Sequence, residues 1–199
     1  MPSNSRKTEI AQLGTAYGAP VRRKCVLEVS QEGYEWWNRA THKRHGEVVM
    51  FIRCKNGKLI LHTKEFYPAG ALRVPSGTLN ENEPLLDAVY REALEETSLE
   101  VTIERFLAIV EFEFRFQGRS HAFSSYLFLL HELGGELKPM DVNERISGFA
   151  EVAPADLPSV AECLENLPPY RRDWGRFRAF PHRLAAELLQ DAARASEAS

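Results

Sequence analysis

Between Gly77 and Leu99 the chain reads GTLNENEPLLDAVYREALEETSL, with Glu83, then Arg91 beside Glu92, then Glu95 beside Glu96. A glutamate-rich surface helix ordinarily balances its charge with lysine four residues on. This stretch has no lysine, and its one basic residue, Arg91, stands among the acids. Carboxylates crowded in this way repel one another unless cations offset them, which points to a divalent metal site. The ligands on offer are hard oxygens, and these suit Mg²⁺ or Mn²⁺ rather than zinc. From charge alone, the competing reading is a solvated acidic helix.

Spacing predicts a helix over 84–97. Pro84 suits a first turn, where its missing N–H costs nothing. Leu86, Val89, Tyr90, Ala93 and Thr97 recur as one apolar helix face. At about 100° per residue, Glu92, Glu95 and Glu96 share an arc of roughly 100° beside that face. Three carboxylates would then project together from a helix anchored by its other side.

The surrounding elements alternate in type. Strands are expected at 24–30, 47–54 and 58–63, the last two joined by Asn56-Gly57, a hairpin signal. Residues 32–40 read as a short helix or turn carrying Trp36 and Trp37. The run 101–116 ends in FEFRF, whose alternation is that of a half-buried strand. Gly118 turns the chain into a strand at 121–130, and another is expected at 146–152. Helices are expected at 154–166 and 176–190, broken apart by Pro168-Pro169, and the ends around 1–8 and 191–199 read as frayed.

Composition narrows the function classes. A hydrophobic fraction of 44% and a charged fraction of 27% are those of a soluble globular protein. A net charge of −3 gives no global field to attract nucleic acid. The three cysteines, Cys25, Cys54 and Cys163, are far apart and form no C-x-x-C, which argues against a disulfide framework or a zinc site and suits a cytoplasmic location. The polar start has no apolar signal core, and no run approaches the roughly 18 apolar residues of a membrane span.

The acidic stretch resembles the Nudix box, G-x5-E-x7-R-E-U-x-E-E-x-G-U, where U is a bulky apolar residue. Gly77, Glu83, Arg91, Glu92, Glu95, Glu96 and Leu99 fall in register, Ala93 is small for the first U, and Ser98 replaces a glycine. A glycine there would end the helix at positive φ, so Ser98 costs on the order of 1 kcal/mol at a point away from the carboxylates. The resemblance implies an α/β/α sandwich with a mixed sheet and a loop-helix-loop motif. It suggests a Nudix domain over 45–160, an N-terminal extension over 1–44 and a helical extension over 161–199. The segments 1–40 and 167–199 are read as packing elements, with a homodimer interface as the alternative.

The resemblance also implies a metal-dependent hydrolase that cleaves the diphosphate of a nucleoside diphosphate linked to another moiety, a small-molecule substrate rather than a nucleic acid or a membrane. Glu92, Glu95, Glu96 and the Gly77 carbonyl would carry the metal, Arg91 would hold the carboxylates, and Glu83 would support them. Glu144 is the favoured general base among Glu136, Asp141 and Glu144, against the plainer reading of a solvated loop charge. Arg73 and Arg115 are candidates to meet phosphate. Phe114, Phe116, Tyr67 and Trp37 are candidates to stack on a base, with core packing as the alternative for each. His121 is a candidate supporting group. Arg171, Arg172, Arg176 and Arg178 form a basic cluster near Trp174. No substrate-subclass marker follows the box. The alternatives kept open are a nucleotide sensor without turnover and an allylic diphosphate isomerase, which would want a cysteine in its pocket.

Overall fold

Glu47 to Ile52 is an unbroken run of buried positions, as a strand covered on both faces requires. In the computed structural model, which describes residues 4–41 and 46–197, this run forms β2 (Gly46–Arg53) inside a seven-stranded sheet. Its companions are β1 (Val21–Glu28), β3 (Leu59–Lys64), β4 (Ser76–Thr78), β5 (Leu99–Phe116), β6 (Arg119–Gly135) and β7 (Ile146–Val152). The order is β1-β5-β6-β2-β3-β7, with β4 paired to β2 off this path. The pairs β1–β5 and β2–β6 are parallel and the others antiparallel, so the sheet is mixed.

Alternation along the strands separates two cores. Val48, Met50 and Ile52 pack with Ile10 and Leu13 of α1 (Asn4–Tyr17) and with Leu85 and Val89 of α3 (Leu85–Thr97). Val49 and Phe51 pack on the opposite face with Trp37 of α2 (Gln31–Ala40), Leu157 of α4 (Leu157–Glu165) and Phe177 and Leu184 of α5 (Arg172–Glu197). The result is the expected α/β/α sandwich. Among the described residues no helix is long and apolar enough to cross a membrane.

Several expectations need correcting. The stretch expected to fray at 1–8 is helical from Asn4, and the helix expected at 176–190 runs from Arg172 to Glu197, through Pro181. Residues 1–3 and 198–199 lie outside the described residues. The segment 1–40, read as packing elements, does supply an edge strand: β1 pairs with β5 from Val21↔Ala108 to Glu28↔Arg115.

The sheet also splits. After the Asn56-Gly57 turn, where Gly57 takes φ +84°, β2 and β3 pair only at Arg53↔Leu59. Farther from that turn β2 pairs instead with β4, Glu47↔Thr78 to Val49↔Ser76, while Arg73 bridges to His62 of β3. The box strand and its leading loop fill this opening.

Candidate active site

Helix α3 is fastened at both ends. Pro84 at its N-cap offers no side-chain acceptor, so the first orphan N–H finds one elsewhere. Leu85 N donates to Glu9 Oε1 of α1 at 2.5 Å, and Arg6 donates to the Glu83 carbonyl at 2.7 Å. At the other end Ser98 adopts φ 56°, ψ 20°, with its N–H on the Leu94 carbonyl at 2.8 Å. The substitution of serine for glycine has kept the left-handed conformation. Beyond β6, Lys138 N donates to Thr97 O, and Met140 N to Glu95 O. This clasp brings the 136–145 loop against the helix.

The buried face of α3 is rotated from the expected one. It comprises Leu85, Ala88, Val89, Glu92, Ala93, Glu96 and Thr97, while Tyr90 is exposed. Glu92 and Glu96 therefore lie within the packed face, at 6% and 1% exposure, and Glu95 stands at its edge. The Glu92 carboxylate needs a neighbour without a side chain: a Cβ on Gly77 would fall 1.6 Å from its Cδ. This close approach is the physical role of the box glycine.

Arg91 ties the acids together. Its Nε donates to Glu83 at 2.7 Å, and one terminal nitrogen reaches Glu92 at 2.7 Å and Glu95 at 3.0 Å. The other meets Glu83 and the Thr78 carbonyl. Glu96 accepts from Ser76 N at 2.9 Å and from Lys64 Nζ at 3.0 Å, with Arg73 3.9 Å away. Lys64 also pairs with Glu144, which ends the short 3-10 turn Val142–Glu144. Burial pushes the Glu92 carboxyl up to about 7, and burial likewise raises Glu96 above the usual carboxylate range.

Four participants were not singled out from the sequence. Glu47 of β2, buried at 3% exposure, accepts from Ser125 Oγ at 2.8 Å and from Arg178 at 2.7 Å. Lys64, the last residue of β3, is buried at 7% exposure. His62 is fully buried, and neither ring nitrogen meets a partner among the described residues. Burial and the nearby Arg73, Lys64 and Arg178 hold its pKa well below the usual histidine value. His182 accepts from Val74 N at 3.2 Å and donates to the Arg178 carbonyl, and burial lowers it to about 4. Only Glu47 carried a signal, as a lone acid heading an apolar strand.

Other expected residues fall in different places. Arg73 is buried at 4% exposure, with its guanidinium on Tyr67 Oη, the Val74 carbonyl and Ser76 Oγ. These contacts hold the guanidinium within the protein, 3.9 Å from Glu96. Phe114 is fully buried, stacked on Trp37 at 4.3 Å and edged by Phe177, so it offers no face to a base. Phe116 packs beside Tyr34 under the Arg119 guanidinium, on the far strand end of that same face. Arg115 pairs with Glu113 in solvent, and Glu136 with Lys138. Asp141 caps the Val142–Glu144 turn through Asn143 N. His121 contacts Thr41 Oγ1 at 2.5 Å.

Among the described residues no three acidic, histidine or cysteine side chains converge as metal ligands. The box glutamates turn instead toward Lys64 and Arg91. The donor set nevertheless fits a hard dication. Six carboxylates (Glu47, Glu83, Glu92, Glu95, Glu96, Glu144) meet four cations (Lys64, Arg73, Arg91, Arg178), which leaves two negative charges. Three of the acids, Glu47, Glu92 and Glu96, are buried, at a cost in desolvation that a bound cation would offset.

No curated protein matches the chain. Similar solved structures include a UDP-X diphosphatase, at 18% identity and a TM-score of 0.49 over 83% of this chain and 73% of that one. A MutT NUDIX hydrolase from Burkholderia pseudomallei shows 22% identity and a TM-score of 0.46, over 72% of this chain and 96% of that one. An ADP-ribose pyrophosphatase from Streptococcus suis shows 21% and 0.44, over 71% and 89%. The family model described as NUDIX domain matches residues 43–174. That match spans more than half of the chain and holds β2, the split in the sheet and the whole carboxylate cluster, so the protein belongs to the Nudix family.

Proposed function

We propose that the protein is a divalent-metal-dependent diphosphohydrolase acting on a nucleoside diphosphate linked to a second group. The observation that carries this reading is the buried carboxylate excess around Gly77, held in box register by Arg91. Glu92, Glu95, Glu96 and the Gly77 carbonyl would hold Mg²⁺ or Mn²⁺. A bound dication neutralises the diphosphate oxygens and lowers the pKa of water.

The remaining work falls to the chain's own groups. Arg91 fixes the rotamers of Glu83, Glu92 and Glu95 by charge-assisted bonds. Ser76 N and Lys64 hold Glu96. Glu144, on a loop clasped to α3, would take the proton from the attacking water. In the reaction one phosphorus gains the water oxygen, and the bridging oxygen leaves on the other.

One observation favours a second reading, a nucleotide sensor without turnover: Lys64 lies between Glu96 and Glu144, where it competes with a metal for both. The isomerase reading finds less support. Cys25 and Cys54 are buried with thiols pushed up to about 11, chiefly by desolvation, and Cys163 is exposed on α4. The test is a panel of nucleoside diphosphate derivatives with Mg²⁺ and Mn²⁺, products weighed by mass spectrometry. Addition of one water, abolished by Glu96→Gln, supports hydrolysis. Binding without turnover supports the sensor, and an unchanged mass with altered structure supports the isomerase.

A further inference from the structure

A cleft of about 270 Å³ opens between α2 and the turn that leads into α5. Its walls include Trp36, Arg39, Tyr170, Arg171 and Trp174, with two acids, Glu32 and Asp173, of which Asp173 accepts from Ser30 N and Oγ. Trp36 is 46% exposed and Tyr170 is 73% exposed. Single exposed aromatics are ordinary on a protein surface. Here two of them line one concavity, beside Trp37, Trp174 and two arginines.

The two tryptophans are held by neighbouring rings. Trp36 stands edge-on to the buried Trp37, with centroids 5.0 Å apart at 83°, and Trp37 stacks on Phe114 within the core. Trp174 rests against Tyr67 at 4.7 Å, and the Arg171 guanidinium lies 6.0 Å from its ring centre. Arg39 is exposed and makes no ion pair among the described residues.

We infer that this cleft is the nucleoside subsite of the enzyme. Flat aromatic walls suit the face of a base, which stacks on such rings whatever its identity. The Arg39 and Arg171 guanidiniums suit the ribose and phosphate oxygens, and the Glu32 carboxylate suits an exocyclic amine. The volume lies just below the range that encloses a drug-sized ligand, so the cleft takes one nucleoside rather than a run of nucleotides.

Position supports the assignment. Trp174 joins the cleft to the carboxylates through Tyr67, whose hydroxyl accepts from Arg73 Nε at 2.7 Å, with Arg73 3.9 Å from Glu96. Along α5, Arg178 follows Trp174 by about 6 Å of helix rise and bonds Glu47 at 2.7 Å. The cleft therefore lies about one helical turn along α5 from the Arg178–Glu47 pair. Helix α2 lies outside the family match, which begins at residue 43. The cleft thus adds a choice of substrate to a catalytic frame that the family shares.

The inference rests on the diphosphohydrolase reading, and the experiment separates the two. AMP, GMP, CMP and UMP are titrated calorimetrically into the full-length protein and into Trp36→Ala, Tyr170→Ala and Arg39→Ala. All three positions are exposed, and circular dichroism verifies that each variant folds. The expected result is binding of at least one monophosphate, weakened roughly tenfold in Trp36→Ala, within the range for loss of one stacking ring. With a cleaved substrate, KM should rise by a similar factor while kcat stays within about twofold. Turnover by the wild type with unchanged affinity and KM in all three variants overturns the subsite and leaves the activity standing. No binding of any monophosphate by the wild type also overturns it. Monophosphate binding that Trp36→Ala weakens, in a protein that cleaves nothing, upholds the cleft as a nucleoside site and removes the hydrolase reading.

Discussion

On the face of the sheet covered by α3, charge enters a buried layer that also holds an apolar core: Glu92, Glu96, Lys64 and Arg73 lie inside it, beside Val48, Met50, Leu85 and the stacked pair Phe106 and Phe128. On the face covered by α2 and α5, equally buried positions are taken by rings: Trp37, Phe112, Phe114 and Phe177 pack at centroid distances of 4.3–6.0 Å. Burying charge in pairs is close to neutral for stability at best, whereas burying aromatics is among the largest favourable contributions. Both faces therefore bury an apolar core, and they differ in what else they admit. The ring face adds a cluster of aromatics, whereas the α3 face holds carboxylates at raised pKa. Glu47 and Arg178 meet Ser76 of the box strand at the split between β2 and β3, where the two layers come together.

Paired substitutions should break this division first. Trp37→Ala should cost about 3–5 kcal/mol of stability, read as a fall in the denaturant midpoint, with kcat of the surviving folded fraction little changed. Glu96→Gln should do the reverse. It should lower kcat by roughly 10²–10³ while the midpoint moves far less than in Trp37→Ala. If Glu96→Gln unfolds the protein as readily as Trp37→Ala, the charged face carries stability and the comparison fails.

Acid should act on the ring face through His182. Its folded pKa is lowered from 6.5 to about 4, first by burial and then by Arg73 and Arg178. The unfolded chain therefore takes up a proton below pH 6.5 that the folded chain refuses until about pH 4. The histidine's contribution is intact above pH 6.5 and is lost as pH falls toward 4, by about 3 kcal/mol in all at 1.36 kcal/mol per unit. Glu92 and Glu96 pull the other way: with folded pKa values raised, they favour the folded state as pH falls. Net stability thus hides the effect, and the difference between wild type and His182→Gln isolates it. Denaturant titrations at pH 7.5 and pH 5 should show the wild type losing more than the variant. Equal losses would mean that His182 titrates normally.

The box was legible because its chemistry is local: seven positions in 23 consecutive residues fix one helix and its acids. Its partners were not, because Glu47, Lys64 and Arg178 sit on three separate elements whose own patterns read as ordinary strand and helix. Phe114 shows the limit of alternation. FEFRF announces a strand with one buried face but does not say that Trp37 and Phe177 wait on it. The face of α3 was misjudged for a related reason. Counting only apolar residues places the seam at Leu86 and Tyr90, whereas paired carboxylates let Glu92 and Glu96 share it. Helix α1 was missed because it buries only Ile10 and Leu13 and docks by polar ties to Glu83 and Leu85.

Those ties give a smaller test of how far the charged face depends on sequence outside the family match. Glu9 serves the box helix as an N-cap drawn from another element. Glu9→Ala strands Leu85 N and should cost about 1 kcal/mol, the usual worth of a cap. Hydrogen exchange should quicken in the first turn of α3 more than in β2. Uniform loosening of both would mean that α1 merely adds apolar cover.

The smallest effect should come from Ser98, at the opposite end of the same helix. Its φ of 56° is the conformation that the family glycine adopts without strain. A side chain there costs roughly 1–2 kcal/mol in the folded state. Glycine would remove that cost but add roughly 0.5–1 kcal/mol of unfolded-chain entropy. The net gain from Ser98→Gly should be about 0.5 kcal/mol, seen as a slightly higher midpoint with kcat unchanged. A loss instead of a gain would mean that the hydroxyl bonds something essential at the helix end. An altered kcat would mean that strain at the end of α3 reaches the carboxylates two residues away, and that the charged face is tuned by its frame as well as by its charges.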